Sequence, residues 1–364
     1  MKDTKMKYYT TKNIDAKGAR YNVIFGERSN GKSYAVYKLG LEKYKKTGCQ
    51  TAIIRRWKED FKGKRGAEMY SNLVANGEIS KIFGDEWNTV FYYGARWYLA
   101  REENGTIVQK ADEPFAYAFA LSETEHDKST SYPRCDHIVF DEFLSRGIYL
   151  PDEFVLLMNT LSTIIRHRDT AVIYMLGNTV NKYCPYFAEM GLTHIKQMKK
   201  GDIDVYNYGE SGLIVAVEYA DSPAKSKKSD VYFAFDNPHL KMITTGEWEI
   251  DIYPHCPVKY KPKDVKFTYF IIFDEDVLQC EIVMQKNITF TFIHRKTTPL
   301  QNENKDLIYK PEYDPRLNYS RRITRPRNKI EQKIYFYIQH EKVFYADNEV
   351  GEIMRNYLKW CGTI

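Results

Sequence analysis

Gly26-Glu27-Arg28-Ser29-Asn30-Gly31-Lys32-Ser33 is the stretch that decides the fold class. It follows the apolar run 21–25, which predicts a strand, and precedes residues 34–41, whose apolar side chains recur at helical spacing. In the pattern G-x-x-x-x-G-K-[ST], glycines let backbone N–H groups turn towards phosphate oxygens, and the lysine reaches the β- and γ-phosphates. Strand, loop and helix in this order predict a phosphate loop rather than a glycine turn that caps an ordinary helix. The expected phosphate-binding residues are Gly26, Arg28, Ser29, Asn30, Gly31, Lys32 and Ser33, with Ser33 also a ligand of Mg²⁺.

Two adjacent carboxylates, Asp141 and Glu142, follow a second apolar run, Ile138-Val139-Phe140. Many strands end in acids that cap the next helix, so this pair alone leaves a purely structural role open. Beside a phosphate loop, Asp141 is expected in the magnesium shell. Glu142, on the opposite side of the strand, is expected to polarise the water that attacks the γ-phosphate. Nucleotide binding needs only the first carboxylate, so the second indicates hydrolysis.

Two further polar positions lie where predicted elements end. Asn178 follows the apolar run 171–176 and is a candidate sensor of the γ-phosphate, although an asparagine that tolerates positive φ at a strand end explains it equally well. Arg166-His167-Arg168 closes the helix predicted from Pro151. Cations at a helix C-terminus are stabilised by the helix dipole, but an arginine at a rigid helix end also suits a residue that reaches a neighbouring subunit's site. The sequence leaves both explanations open.

Strands alternate with helices over the first part of the chain, which predicts a mostly parallel α/β sheet. An aromatic hairpin at 89–101 is expected as an insertion in this pattern. The composition then changes to polar, basic and proline-lysine stretches. The expected organisation is a P-loop ATPase domain at 1–221, a linker region at 222–265 and a β-rich domain at 266–364 that closes with a helix from about Asn348, its expected N-cap, to Trp360.

The 364 residues include 54 Lys and Arg against 48 Asp and Glu, a net charge of +6, which is small for a protein held on nucleic acid by overall charge. A contact with DNA therefore needs a local patch. The glycine-containing loop 58–66 is the first choice, through Lys62, Lys64 and Arg65, and the segment 321–327 competes with it. No uncharged apolar stretch approaches about 18 residues and no signal-peptide pattern is present, so a soluble, cytoplasmic protein with no membrane partner is expected.

The order and spacing of these motifs resemble the genome-packaging ATPases of small φ29-like tailed phages. The resemblance covers most of residues 1–220 and rests on the phosphate loop, Ile54-Arg55-Arg56, Lys128-Ser129-Thr130-Ser131-Tyr132-Pro133, Ile138-Val139-Phe140-Asp141-Glu142-Phe143, Arg166-His167-Arg168 and Leu176-Gly177-Asn178. It implies a P-loop ATPase of the additional-strand, catalytic-glutamate branch, which uses ATP and Mg²⁺ to drive double-stranded DNA into an empty prohead. It also implies a homomeric ring, usually a pentamer, located in the host cytoplasm and transiently at the portal vertex.

The resemblance also assigns roles to residues. It makes Lys32 and Ser33 ligands of phosphate and Mg²⁺, Asp141 the acid of the second motif and Glu142 the base. Arg166 becomes the first candidate for a finger that acts in trans, and Lys128 a second basic residue that could meet the neighbour's nucleotide. The C-terminal domain is expected to resemble a ribonuclease-H-type fold that has lost its nuclease site. Structural RNA serves some relatives as a ring adaptor, and the sequence leaves its use here open.

Three other functions remain open at this point. A full terminase would also cut DNA in its second domain, where Asp274, Glu275 and Asp276 are the acids available for a metal site. A nucleotide-gated assembly factor would bind ATP without turnover, and Glu142 is the feature against it. A helicase-like replication ATPase would need a single-strand channel lined by stacking aromatic side chains.

Overall fold

The computed structural model describes residues 8–362 except 124–130, 146, 148, 180–182, 222–250 and 257. The chain divides into two compact units, Met1–Trp248 and Glu249–Ile364. The phosphate loop and the paired acids lie in the first unit. Lys128, predicted to meet a neighbour's nucleotide, lies outside the described residues.

The first unit is built on one mixed sheet. Its strands are β1 (Tyr21–Gly26), β2 (Gln50–Arg55), β3 (Thr89–Tyr93), β4 (Arg96–Glu103), β5 (Thr106–Lys110), β6 (Ala116–Ala120), β7 (Cys135–Asp141), β8 (Val172–Asn178), β9 (Ile203–Tyr208) and β10 (Leu213–Ala220). Their spatial order is β3-β4-β6-β2-β7-β8-β1-β10-β9, with β5 paired to β4. All pairs from β6 to β10 in this order are parallel, and the predicted hairpin, β3 and β4, forms one antiparallel edge. The predicted parallel α/β fold is confirmed.

Helices cover both faces of this sheet. Among the residues described, the α-helices are α1 (Lys12–Asp15), α2 (Lys32–Thr47), α3 (Lys64–Glu68), α4 (Ser71–Ala75), α5 (Glu78–Phe83), α6 (Glu153–Ile165) and α7 (Pro185–Glu189). Residues of α2 share one apolar core with Ile24, whereas residues of α6 share a second core with Val23 and Phe25. Successive strand residues therefore enter opposite cores, which is why the central strands are continuous apolar runs in the sequence.

The basic segment 58–66 is not the loop that the sequence predicts. It forms a 3₁₀ helix, Lys58–Phe61, and then enters α3 at Lys64. Phe61 is buried, and its carbonyl oxygen accepts a hydrogen bond from the Tyr92 hydroxyl at 2.6 Å. A Cβ atom on Gly66 would lie 2.4 Å from the Tyr92 ring. Gly66 is thus required by close aromatic packing, a contact with the β3–β4 hairpin that local sequence does not reveal.

In its described residues, the second unit contains a six-stranded sheet and two α-helices. The elements are β11 (Val265–Phe273), β12 (Asp276–Gln285), β13 (Ile288–Arg295), β14 (Ile308–Tyr309), β15 (Tyr319–Ser320), β16 (Val343–Tyr345), α8 (Lys329–Gln339) and α9 (Asn348–Trp360). The strand order is β15-β14-β11-β12-β13-β16; β11, β12 and β13 are antiparallel, and β14 is parallel to β11. Three antiparallel strands, with β14 parallel to β11 and β16 parallel to β13, give the β-rich second domain that the sequence predicts; its likeness to a ribonuclease-H-type fold stays a prediction.

Two details of the second unit differ from the sequence prediction. Residues 251–256 and 258–265, expected as linker, belong to this unit: the backbone N–H of Tyr253 donates to Asn348 Oδ1 at 3.0 Å, and its hydroxyl donates to Glu352 at 2.6 Å. The cap of α9 is Asp347 rather than Asn348, because the Asp347 carboxylate accepts the backbone N–H of Val350 at 2.8 Å. The remaining linker positions, 222–250 and 257, lie outside the described residues.

Of the acids suggested for a nuclease site, Asp274 and Glu275 form the turn between β11 and β12, and Asp276 begins β12. Asp274 and Glu275 have φ of +50° and +71°, and Asp276 forms an ion pair with Arg295 at 2.9 Å. Among the described residues, no group of three or more His, Cys, Asp or Glu side chains is arranged to hold a metal ion. Within the same part of the chain, no helix is long and apolar enough to span a membrane.

Candidate active site

The predicted site residues meet at the carboxyl edge of the parallel sheet. β1 and β8 are neighbours that end at Gly26 and Asn178, and these two residues are register partners. β7, the other neighbour of β8, ends at Asp141. Parallel strands deliver their ends to one edge, so residues more than a hundred positions apart become adjacent.

The phosphate loop runs from the end of β1 into the first turn of α2. A Cβ atom on Gly26 would lie 2.7 Å from the carbonyl oxygen of Ala220 in β10, so only glycine fits there. Gly31 has φ of +93° and directly precedes α2, a conformation that glycine adopts at little cost. Arg28 and Ser29 are exposed on the loop, whereas Asn30 is buried. Within the described part of the chain, Asn30 Nδ2 is a buried donor with no hydrogen-bond acceptor.

Lys32 is the buried cation of this loop. Its side chain is 5% exposed, and its Nζ donates to Glu27 O at 2.6 Å, Asn30 Oδ1 at 3.1 Å and Asn178 Oδ1 at 3.4 Å. All three acceptors are neutral, and burial lowers the pKa of the ammonium to about 8. A buried cation surrounded by neutral oxygens favours an anionic ligand. The contact with Asn178 brings the predicted sensor to the lysine.

Asp141 is held by donors from two different elements. Ser33 Oγ donates to Oδ1 at 3.1 Å, while the Tyr37 hydroxyl and Arg55 Nη2 donate to Oδ2 at 2.7 Å and 2.8 Å. Asp141 is 5% exposed, so its charge is balanced mainly by Arg55. The pairing of Ser33 with Asp141 joins the two halves of the predicted magnesium site.

Glu142 lies one residue beyond β7 with φ of +61°. Its carboxylate is 60% exposed and accepts a hydrogen bond from Arg55 Nη1 at 3.1 Å. The Arg55 guanidinium therefore binds both Asp141 and Glu142. The expectation that Glu142 points to the side opposite Asp141 is wrong, because the left-handed backbone at Glu142 ends the strand alternation on which it depended.

Arg55 and Arg56 are functional candidates to which sequence reasoning gave no role at this site. Arg56 donates through Nε to Glu153 Oε2 at 2.7 Å and through Nη2 to Phe143 O at 2.9 Å, so it ties the start of α6 to the segment that follows Asp141. A signal was present: both arginines follow the apolar run of β2, just as Asp141 follows that of β7. Since β2 and β7 are adjacent and parallel, their ends meet.

Arg166 lies at the other edge of the sheet from its own phosphate loop. It is exposed and follows α6 with φ of +54°, and its backbone N–H donates to Ser162 O at 2.9 Å. Arg168, two residues later, donates to Asp136 at 2.7 Å, near the amino end of β7. A helix of the length of α6 spans about 20 Å. Arg166 therefore lies at the end of α6 that is remote from Glu153, whose carboxylate binds Arg56 at the carboxyl end of β2.

The three residues chosen for DNA binding are exposed around the start of α3. The Lys62 and Lys64 side chains are 63% and 87% exposed, and each has an acidic partner, Glu59 at 3.0 Å and Glu68 at 3.3 Å. Arg65 donates to Glu59 O at 3.4 Å. They lie on a folded segment and not on a loop that leaves the sheet.

Comparison with known proteins places these features in a family context. The sequence model of the Podovirus DNA encapsidation protein (Gp16) family matches residues 3–290. The DNA packaging protein of Bacillus phage PZA is 25% identical over 310 residues, covering 80% of this chain and 84% of that protein; that of Bacillus phage phi29 is 24% identical with the same coverage. The Phi-28 gp11 DNA packaging motor has the same fold, with 19% identity, a TM-score of 0.54 and 98% of both chains covered. The bacteriophage Phi-29 viral genome packaging motor assembly gives 20% identity, a TM-score of 0.51 and coverage of 96% of this chain and 99% of that one.

Proposed function

This chain belongs to the Podovirus DNA encapsidation protein (Gp16) family, and on that premise we propose that it is an ATP-driven motor that moves double-stranded DNA into a prohead. The observation that carries the proposal is the hydrogen bond of 3.1 Å between Ser33 Oγ and Asp141 Oδ1, next to a buried Lys32. These groups belong to the two motifs that a nucleotide-hydrolysing site needs, and the fold has brought them together.

The residues present fit a nucleotide with its magnesium ion. Asn30 Nδ2 is a buried donor without an acceptor in the described part of the chain, and Lys32 is a buried cation among neutral oxygens. Both would bind phosphate oxygens, Lys32 those of the β- and γ-phosphates. The Ser33 hydroxyl and the Asp141 carboxylate are hard oxygen donors of the kind Mg²⁺ prefers. When bound, Mg²⁺ would neutralise charge that develops on the phosphates.

Glu142 is the residue we assign to water activation. Its carboxylate is largely exposed at the same edge of the sheet, and its ion pair with Arg55 has a solvated side. Pairs of this kind contribute little to stability, so the carboxylate exchanges Arg55 for a water molecule at small cost. Asn178, hydrogen-bonded to Lys32, is suited to sense whether the γ-phosphate is present.

The position of Arg166 supports hydrolysis at the interfaces of a homomeric ring. This arginine lies on the edge of the sheet away from its own phosphate loop, so it would complete the site of a neighbouring subunit. An arginine supplied in trans stabilises the charge of the transferring phosphoryl group. Lys128 remains a second proposed contribution in trans. The ring, proposed to be a pentamer, would sit on the portal of the prohead, in the host cytoplasm and with or without an adaptor RNA.

DNA is proposed to contact the exposed basic residues at the start of α3. A motor accepts any sequence, so its contacts are to phosphates and weaken with salt. The segment packs against the β3–β4 hairpin through Phe61 and Tyr92, and it follows β2, whose last residue, Arg55, holds both site acids. The proposed DNA contact is therefore close in sequence to a residue of the nucleotide site.

The deciding experiment measures ATP turnover with duplex DNA, with portal-bearing proheads and with both together. A packaging motor gives its largest turnover when both are present, and Glu142→Gln removes that turnover while the protein still binds ATP. Turnover that does not respond to proheads would contradict a packaging role. Binding of ATP without any turnover under all conditions would favour a nucleotide-gated assembly factor.

A further inference from the structure

We propose that Tyr37 is a positioning residue for the divalent ion: its hydroxyl holds Asp141 by Oδ2, so that Oδ1 stays beside Ser33 Oγ. The inference rests on the proposed function, because it concerns the ion that accompanies ATP. No sequence motif points to Tyr37; it is a helical residue of α2 with the appearance of an ordinary core aromatic. The observation is its hydrogen bond of 2.7 Å to Asp141 Oδ2.

One helix, α2, supplies hydrogen-bond donors to both oxygens of the Asp141 carboxylate. Ser33 and Tyr37 are four residues apart in α2, so their side chains lie on the same face. Ser33 Oγ reaches Oδ1 at 3.1 Å, and the Tyr37 hydroxyl reaches Oδ2. Arg55 Nη2, from the end of β2, donates to the same Oδ2 at 2.8 Å. Two fixed donors therefore occupy Oδ2, and Oδ1 is the oxygen left facing Ser33.

The tyrosine is a fixed donor rather than a mobile one. Tyr37 is 4% exposed, and its ring stacks on Tyr70 with centroids 5.3 Å apart. Without this donor, Oδ2 would be held by Arg55 alone, which also binds the exposed Glu142. The orientation of the carboxylate would then depend on a guanidinium shared with a second acid.

Loss of a group that orients a metal ligand typically weakens metal affinity about 10- to 100-fold. For Tyr37→Phe we expect the Mg²⁺ concentration that half-saturates binding of a fluorescent ATP analogue to rise about tenfold or more. Nucleotide binding in EDTA is expected to stay at the wild-type level, because Lys32 and the loop backbone are untouched. Binding of Mn²⁺ in the presence of the analogue, followed by electron paramagnetic resonance, gives the same comparison without turnover.

Tyr70→Phe is the matched control. Tyr70 is as buried as Tyr37 and stacks on it, but its hydroxyl has no hydrogen-bond partner among the described residues. This variant removes the same atom from the same aromatic cluster and is expected to show the wild-type Mg²⁺ dependence.

The outcomes separate the inference from the function on which it rests. A wild-type Mg²⁺ curve for Tyr37→Phe overturns the positioning role, as does an equal shift in Tyr70→Phe, which would mean that packing is responsible. If the full-length wild-type chain does not bind the analogue at all, the proposed nucleotide site is wrong; if it binds the analogue equally with Mg²⁺ and with EDTA, the proposed magnesium site is wrong. Normal binding of the analogue in EDTA shows that Tyr37→Phe has folded.

Discussion

Glu153→Gln is expected to destabilise the first unit far more than the loss of one exposed charge would. The Glu153 carboxylate accepts four hydrogen bonds: two from Arg56, at 2.7 Å and 2.8 Å, one from the Leu150 backbone N–H at 2.7 Å and one from the Tyr186 hydroxyl at 2.6 Å. An amide has one acceptor oxygen, and its NH₂ group would face donors. The side chains of Glu153 and Arg56 are 1% and 7% exposed, so the arginine would stay buried without its counter-ion.

The expected size of this effect follows from the burial. Breaking a buried pair by removing one partner costs about 3–5 kcal/mol. For a unit of roughly 250 residues each kcal/mol lowers the melting temperature by about 2–4 °C, which gives a decrease of about 6–20 °C. Thermal unfolding followed by circular dichroism measures it. Turnover should fall as well, since Arg56 also donates to Phe143 O at 2.9 Å and so supports the backbone beside Glu142.

Two controls make the reasoning refutable. Glu68→Gln breaks an exposed pair, in which Lys64 and Glu68 are 87% and 57% exposed, and should cost no more than about 0.5 kcal/mol. Removing the cation as well, in Arg56→Met with Glu153→Gln, should cost less than the sum of the two single losses, because no charge is left unpaired. Similar melting temperatures for Glu153→Gln and Glu68→Gln would refute the buried-pair argument.

Four further outcomes are expected. Lys32→Ala should abolish ATP binding by removing the buried ammonium, whereas Glu142→Gln should keep binding and lose turnover; equal losses of ATP affinity, measured by equilibrium titration, would contradict this division of roles. Because burial lowers the pKa of Lys32 to about 8 and phosphate needs the protonated form, ATP affinity should fall as the pH rises above that value; titrations from about pH 7 to about pH 9.5 check it, and a flat profile would argue against the lysine. Mixed rings of Arg166→Ala and Glu142→Gln subunits should regain part of the lost turnover, since a trans arginine is worth about 10³–10⁵ in rate; assembled but inactive mixtures would leave Arg166 as a helix-end cation. Charge reversal at Lys62, Lys64 and Arg65 should reduce DNA-stimulated turnover and its salt dependence more than it reduces turnover without DNA. An unchanged salt dependence would move the DNA contact to segment 321–327.

Much of the second unit was also predictable from local pattern. The apolar runs 267–273, 277–284 and 288–293, which short polar turns separate, predict three strands, and β11, β12 and β13 form there. α8 was missed because its first residues lie in a strongly basic stretch that hides the apolar positions Ile334 and Tyr337. β14 and β15 have two residues each, which is too few to show a periodic pattern in the sequence. The parallel pairing of β14 with β11 could therefore not be predicted.

The sequence by itself determined the phosphate loop, the strand before it, the helix after it and the position of Asp141 at a strand end. These features are local: glycines, a lysine and a hydroxyl at set spacing dictate the backbone of one turn, and apolar runs dictate the buried strands. Only the tertiary structure decided which side chains meet Asp141. Strand order brings β2 beside β7 and lays α2 over the sheet, so Arg55 and Tyr37 converge on one carboxylate oxygen. That order is set by packing between elements far apart in the chain, which no local pattern encodes.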